Sequence, residues 1–145
     1  LSEIIVSFKE ISKKQFVFNF DQDSNPKKIS KSIEIVYGLR NFIGNANKFS
    51  KNSIFINLKS DSEFTELTIE DDGNGYPRDI ISKIGEPYLK SNYSKDKSKE
   101  GLGLGLFIGK TLLEKNFASV NCRNSKTRSG AEVIIRWKNK ELFNI

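Results

Sequence analysis

Apolar residues change period several times along the chain, and each change marks an element. Between Leu1 and Ile11, the positions Leu1, Ile4, Ile5, Phe8 and Ile11 fall at helical spacing, which predicts the end of a helix entering the domain. Gln15 to Phe20 then alternates, with Phe16, Phe18 and Phe20 on one face, as a half-buried strand does. After a polar loop from Asp21, the pair Asn25-Pro26 offers a cap and a first helical position. Ile29, Ile33, Val36, Leu39, Ile43 and Ala46 recur every three or four residues, so a helix of about five turns is expected to end near Phe49. Ser53 to Leu58 and Phe64 to Glu70 alternate on either side of a polar turn and predict a hairpin. Pro77 to Ile84 reads as a short helix, broken at Gly85-Glu86-Pro87-Tyr88. Lys90 to Glu100 is too polar to pack and reads as a mobile flap. A helix running from a glycine-rich stretch to Asn116 and two strands, Ala118 to Arg123 and Ala131 to Trp137, follow. Lys138 to Ile145 carries no pattern of its own. The expected architecture is α+β, a two-layer α/β sandwich in which a mixed sheet carries its helices on one face.

Composition narrows what such a fold can do. With 145 residues, 37% of them hydrophobic, the chain can bury one core and is expected to form one domain. No apolar run approaches the roughly 18 residues that span a bilayer, which points to the cytoplasm. The chain has no methionine and is expected to be a fragment of a longer protein. Its net charge of +6 could suit nucleic acid, but only five of the basic residues are Arg and the lysines are scattered, so no nucleic-acid partner is expected. The single cysteine, Cys122, excludes an internal disulfide and reads as a small buried hydrophobe. Histidine is absent, which excludes a Ser-His-Asp or Cys-His catalytic arrangement and any His-ligated metal built from this chain.

Three stretches carry candidate chemistry. On the long helix, Asn41, Asn45 and Lys48 fall within about 60° of one another, opposite Leu39, Ile43 and Ala46. Asparagine is a poor helix former, so two in mid-helix suggest a ligand, although a solvated polar face explains them equally well. In the second hairpin strand, period two places Asp71 on the same face as Leu67 and Ile69. An inward carboxylate has to find donors, and an amino group on a ligand would supply one. Gly73 and Gly75 follow it, permitting positive φ and close approach, or simply a tight turn. Gly101, Gly103 and Gly105 enter the last long helix, where exposed backbone N–H groups and the helix dipole favour a phosphate; helix packing alone would also account for them.

In order, Asn41-x3-Asn45-Ala46-x-Lys48, Asp71-x-Gly73-x-Gly75 and Gly101-x-Gly103-Leu104-Gly105-Leu106 resemble the asparagine box and the two glycine boxes of the ATP-binding catalytic domain of sensor histidine kinases. These belong to the gyrase, Hsp90, histidine kinase and MutL superfamily. The resemblance spans about residues 15 to 137, and the runs Gly85 to Tyr88, Gly101 to Ile108 and Gly130 to Trp137 look most like the RegB/PrrB group. It implies a Bergerat-type fold over residues 15–140, preceded by an upstream linker or helix at 1–14, followed by a tail at 141–145, and carrying a flexible ATP lid. It implies ATP and Mg²⁺ as ligands, with Asn45 on the metal, Asn41 and Lys48 in the catalytic machinery at the phosphates, and Asp71 on the adenine amino group. Gly73 and Gly75 would line the base. Tyr88, Gly101, Leu102, Gly103, Leu104, Gly105 and Leu106 would surround the nucleotide and the lid hinge.

Asn41 stands where hydrolysing members of the superfamily place a glutamate base, and an amide cannot take a proton from water, so slow hydrolysis is implied. Two departures concern the lid, where Pro87-Tyr88 replaces Phe-x-x-Phe, and the last hairpin, where Gly130-Ala131 replaces Gly-Thr. The resemblance further implies a phosphoacceptor histidine in a dimerising phosphotransfer domain of the same protein, a response regulator receiver domain as partner, and a homodimer when intact, the fragment itself being monomeric. Anchoring of the intact protein at the inner membrane is left open. The alternatives are an ATP-hydrolysing clamp of the gyrase, Hsp90 or MutL kind and a degenerate scaffold that binds no nucleotide.

Overall fold

In the computed structural model, residues 2–11, 13–22, 32–81 and 102–142 are described. Five strands, β1 (Gln15–Gln22), β2 (Ser53–Ser60), β3 (Phe64–Asp71), β4 (Ser119–Asn124) and β5 (Ala131–Lys138), form one sheet in the order β1-β2-β3-β5-β4. β1 and β2 are parallel and every other pair is antiparallel. A parallel pair needs a crossover, and α2 (Ile33–Phe49) supplies it.

Register turns the alternation of each strand into continuous apolar rows. Phe18 pairs with Ile56, Ile56 with Ile69, Ile69 with Val133 and Val133 with Cys122. The next row runs Phe20, Leu58, Leu67, Ile135, Val120. Ile54, Ile56, Leu58, Leu67, Ile135 and Trp137 are fully buried, each side chain contributing about 1.5–3 kcal/mol. On the opposite face Arg123 pairs with Glu132 across β4 and β5, Arg128 from the turn between them pairs with Glu70, and Arg136 lies over the Phe64 ring.

Two helices cover the apolar rows. α2 buries Ile35, Leu39, Phe42, Ile43 and Ala46, while α4 (Leu102–Lys115) buries Leu106 and Leu113 in the same core. Gly38 faces Leu113, Gly109 faces Phe42 and Gly105 faces Asn45, so the helices run antiparallel, with glycines setting their separation. The cap of α2 is Ser32, whose Oγ accepts from the Ile35 N–H, rather than the predicted Asn25-Pro26, which lies outside the described residues. Ile33, counted in the apolar stripe, is 72% exposed at the first helical position. α3 (Arg78–Ile81) forms the described part of the short helix after Pro77.

Both ends of the described chain are packed. α1 (Ser2–Ser7) and a 3-10 turn at Phe8–Ile11 bury Ile4, Ile5 and Phe8 in the main core. Lys14 then donates to the carbonyls of Ser50 and Lys51 just past the end of α2. At the other end lies α5 (Asn139–Leu142), where no pattern was legible. Asn139 explains it: its N–H donates to the Glu63 carbonyl, its Nδ2 to the Asp61 carbonyl, and its Oδ1 accepts from Thr65, so Leu142 is pulled into the core.

Candidate functional site

Beyond the last apolar pairs, the row opened by Phe16 and Ile54 ends on Asp71 rather than on a hydrophobe. Asp71 is 3% exposed, and its Oδ1 accepts from the N–H of Gly73 at 2.8 Å and of Ala131 at 3.3 Å. Oδ2 accepts no hydrogen bond among the described residues. Burial pushes the Asp71 pKa up; the two N–H donors pull it down and the neighbouring Asp72 and Glu70 push it up again, leaving it above the usual carboxylate value. One oxygen therefore fixes the carboxylate, and Asp71 lines a cleft together with Phe42, Asn45, Ala46, Phe49, Tyr76 and Val133, among others.

Asn45 reaches this cleft from α2. Among the described residues its buried Nδ2 has no hydrogen-bond partner, a deficit worth about 1–3 kcal/mol. Asn41, one turn earlier, donates its Nδ2 to the Tyr37 carbonyl at 2.8 Å. Both asparagines face α4, where a Cβ on Gly105 would lie 3.5 Å from the Asn45 amide and 3.7 Å from Asn41 Oδ1. They thus sit on the shoulder of the buried stripe rather than opposite it, as their angle alone predicts. The cause is the second helix, which the small residues Gly105 and Gly109 admit close to α2 and which widens its buried arc. Lys48 remains outside on the exposed side, its ammonium 5.4 Å from the centre of the Phe49 ring.

The other predicted residues fall into three groups. Gly75 lines the cleft with a φ of 77°, a left-handed value that suits glycine. Gly73 does not line it; a Cβ there would come within 2.2 Å of the Phe49 carbonyl oxygen, so its smallness serves packing of β3 against the end of α2. Leu106 is fully buried in the core. Leu102, Gly103 and Leu104 form the first turn of α4, so the glycines there are helical rather than a preceding loop. Tyr88, Gly101 and the whole expected lid lie outside the described residues.

Several cleft residues escaped the sequence reading, chiefly Tyr76, Phe42 and Phe49, while Ala131, noted for replacing a threonine, does line the cleft. Tyr76 is 7% exposed and follows Gly75 directly, a position whose direction only the turn geometry determines. Its hydroxyl meets the Cys122 thiol; burial, then Cys122, raise its pKa. Burial likewise pushes the Cys122 thiol up to about 11, so it stays protonated and unreactive. Among the described residues no cluster of acidic, Cys or His side chains could hold a metal unaided. The donor set nonetheless suits Mg²⁺ shared with phosphate oxygens, because Asn45 brings a neutral oxygen and an amide N–H still lacking a partner. No described helix is long and apolar enough to cross a membrane.

Residues 30–141 match the family described as histidine kinase-, DNA gyrase B-, and HSP90-like ATPase. The chain is 38% identical over 97 residues to the sensor histidine kinase RegB of Cereibacter sphaeroides, in an alignment covering 63% of this chain and 21% of RegB. It is 30% identical over 100 residues to the sensor protein SrrB of Staphylococcus aureus, covering 68% and 17% of the two. The chain therefore spans about a fifth of the length of these relatives. Among solved structures, the nucleotide-free catalytic domain of the histidine kinase ThkA matches with a TM-score of 0.71 at 22% identity, over 94% of this chain and 90% of that one. The mycobacterial sensor histidine kinase MprB matches with a TM-score of 0.68 at 22% identity, over 93% and 91%. At such identity these two likenesses establish the fold.

Proposed function

The chain belongs to the family of histidine kinase-, DNA gyrase B- and HSP90-like ATPases, and we propose that it is the catalytic, Mg-ATP-binding domain of a two-component sensor histidine kinase. The observation that carries this reading is the convergence of Asp71, from a strand end, and Asn45, from the long helix, on one cleft. The adenine amino group donates to Asp71 Oδ2, a contact that guanine, with a carbonyl at that position, cannot make. Asn45 would hold Mg²⁺ through its neutral amide oxygen and would offer its Nδ2 to the phosphates; the ion, when bound, would neutralise phosphate charge. Lys48, further along the same helix, is assigned to the outer phosphates, and Asn41, which has no basic atom, excludes efficient activation of water.

The phosphoacceptor is a histidine outside these residues, because the chain contains none. It lies in a dimerising phosphotransfer domain of the same protein, and a response regulator receiver domain takes the group onward. The work of this domain is positioning and charge neutralisation. Titration calorimetry with ATP and GTP, with and without Mg²⁺, tests the reading: ATP binds better than GTP, Mg²⁺ strengthens it, and Asp71→Asn weakens ATP binding by about 1–3 kcal/mol. Equal affinity in that variant removes Asp71 from the role. Radiolabel from γ-labelled ATP appearing on the isolated chain would contradict an external acceptor.

A further inference from the structure

β3 ends its inward row on Asp71, and β4 ends its own on Asn124, two residues after Cys122 and on the same face. Asn124 is exposed, yet both halves of its amide are engaged by a single residue across the chain. The Tyr76 N–H donates to Asn124 Oδ1 at 2.6 Å, and Asn124 Nδ2 donates to the Tyr76 carbonyl at 3.0 Å. Gly75 is matched to this grip, since a Cβ on it would stand 2.7 Å from Asn124 Oδ1. The Tyr76 side chain is buried beside Cys122 of β4, so this strand accompanies the tyrosine along its length. Tyr76 is neither in the sheet nor in a described helix; it lines the cleft.

We propose that Asn124 is a positioning residue for base recognition, setting the Tyr76 wall of the cleft against the plane that Asp71 reads. This rests on the assignment of the cleft to adenine. The chemistry requires such a device. A lone carboxylate discriminates between purines only if the base cannot slide, and a wall carried on a turn of glycines slides unless its backbone is tied. Asn124 supplies the tie without joining the core, so its loss should disturb recognition more than folding.

The test is calorimetry with Mg-ATP and Mg-GTP on the wild-type chain, Asn124→Ala, Asn124→Asp and Asp71→Asn, with thermal midpoints alongside. Asn124→Ala should lower ATP affinity by about tenfold and narrow the ATP:GTP ratio by a similar factor, as expected when two hydrogen bonds are lost. Asn124→Asp keeps the acceptor for the Tyr76 N–H but not the donor to its carbonyl, so its loss should be intermediate. Should the alanine variant fail to fold, the aspartate variant decides alone. A lower thermal midpoint with unchanged affinity and ratio would make Asn124 merely structural and overturn the proposal. If wild type does not bind Mg-ATP, or Asp71→Asn binds like wild type, the adenine assignment falls and takes this proposal with it. If Asp71→Asn loses affinity while both Asn124 variants match wild type, the positioning role alone is wrong.

Discussion

The two halves of the proposed site, the strand ends that line the cleft and the α2–α4 seam beside it, are finished to different degrees. At the strand ends, one Asp71 oxygen is held by two N–H groups, Asn124 ties both backbone polar groups of Tyr76, and Gly73 and Gly130 sit where a Cβ would come within 2.2 and 2.0 Å of backbone carbonyl oxygens. Along the seam between α2 and α4, Asn45 Nδ2 is buried with no partner among the described residues, the Asn41 amide turns back on its own helix, and a Cβ at Gly105 would meet only ordinary contacts from 3.5 Å. A planar base is recognised by geometry fixed in advance, whereas a polyanion with its counter-ion can complete coordination that the protein leaves open. On the proposed assignment, the strand half is built by the protein and the helix half would be completed by the ligand.

Glycine-to-alanine exchange separates the halves most sharply. Gly130→Ala places its Cβ 2.0 Å from the Asp71 carbonyl oxygen and 2.2 Å from its Oδ1, with backbone on both sides that cannot step aside. We expect a loss of about 3 kcal/mol in urea unfolding, at the upper end for overpacking. Gly105→Ala, in contrast, gains helix propensity and clashes with none of the described atoms, so the empty protein should become more stable by about 0.5–1 kcal/mol. Comparable destabilisation by both exchanges would erase the distinction.

Asp72 joins the two halves and makes the next largest difference. Its carboxylate accepts from the N–H groups of Lys51, Asn52 and Ser53, tying the end of β3 to the chain leaving α2. Burial pushes its pKa up, but the backbone donors outweigh that and hold it below the ordinary 3.8. A carboxylate with a lowered folded pKa stabilises above its unfolded value and loses that contribution as pH falls through the folded one. Asp72→Asn should therefore cost about 1–2 kcal/mol near neutrality, with the gap to wild type closing below pH ~4. Asp71 has the opposite sign: its raised pKa means that the folded state binds the proton more tightly, so protonation favours folding as pH falls through that value. Urea melts from about pH 7 down to about pH 3 on wild type and both Asp→Asn variants would expose the two slopes.

Sequence patterning reached the strand half better than the helix half, for physical reasons. Period two is rigid, so the alternation Leu67, Ile69, Asp71 sufficed to aim a carboxylate inward, and the same count through Val120, Cys122 and Asn124 would have flagged the second polar residue ending an inward row. A helical angle says only which side of one helix a residue occupies. Whether Asn41 and Asn45 meet solvent or a second helix depended on Gly105 and Gly109, some sixty residues later, acting as spacers rather than as a loop. Tyr76 was illegible because its direction follows from the positive φ of Gly75, which a glycine permits but does not announce. α5 depended on Asn139 finding three partners in the hairpin turn, contacts that leave no periodic trace.

The smallest change in stability, and the most direct probe of the unfinished half, is Asn45→Ala. The amide to be removed carries a buried N–H with no partner among the described residues, so its deletion relieves a penalty of about 1–3 kcal/mol. Alanine also improves α2 by a few tenths of a kcal/mol. Against these stand the lost contacts of the side chain with α4 and the cleft wall, of similar size. The sum should leave the ligand-free protein within about 1 kcal/mol of wild type. Binding should change in a different way: the strengthening of ATP affinity by Mg²⁺ should largely vanish, while affinity measured without Mg²⁺ falls much less. Asn41→Ala is the comparison: its Nδ2 is already satisfied by the Tyr37 carbonyl and its removal leaves Asn45 in place, so it should lower ATP affinity without abolishing the strengthening by Mg²⁺. If Asn45→Ala instead unfolds the empty protein by several kcal/mol, the amide is structural and the helix half is as complete as the strand half.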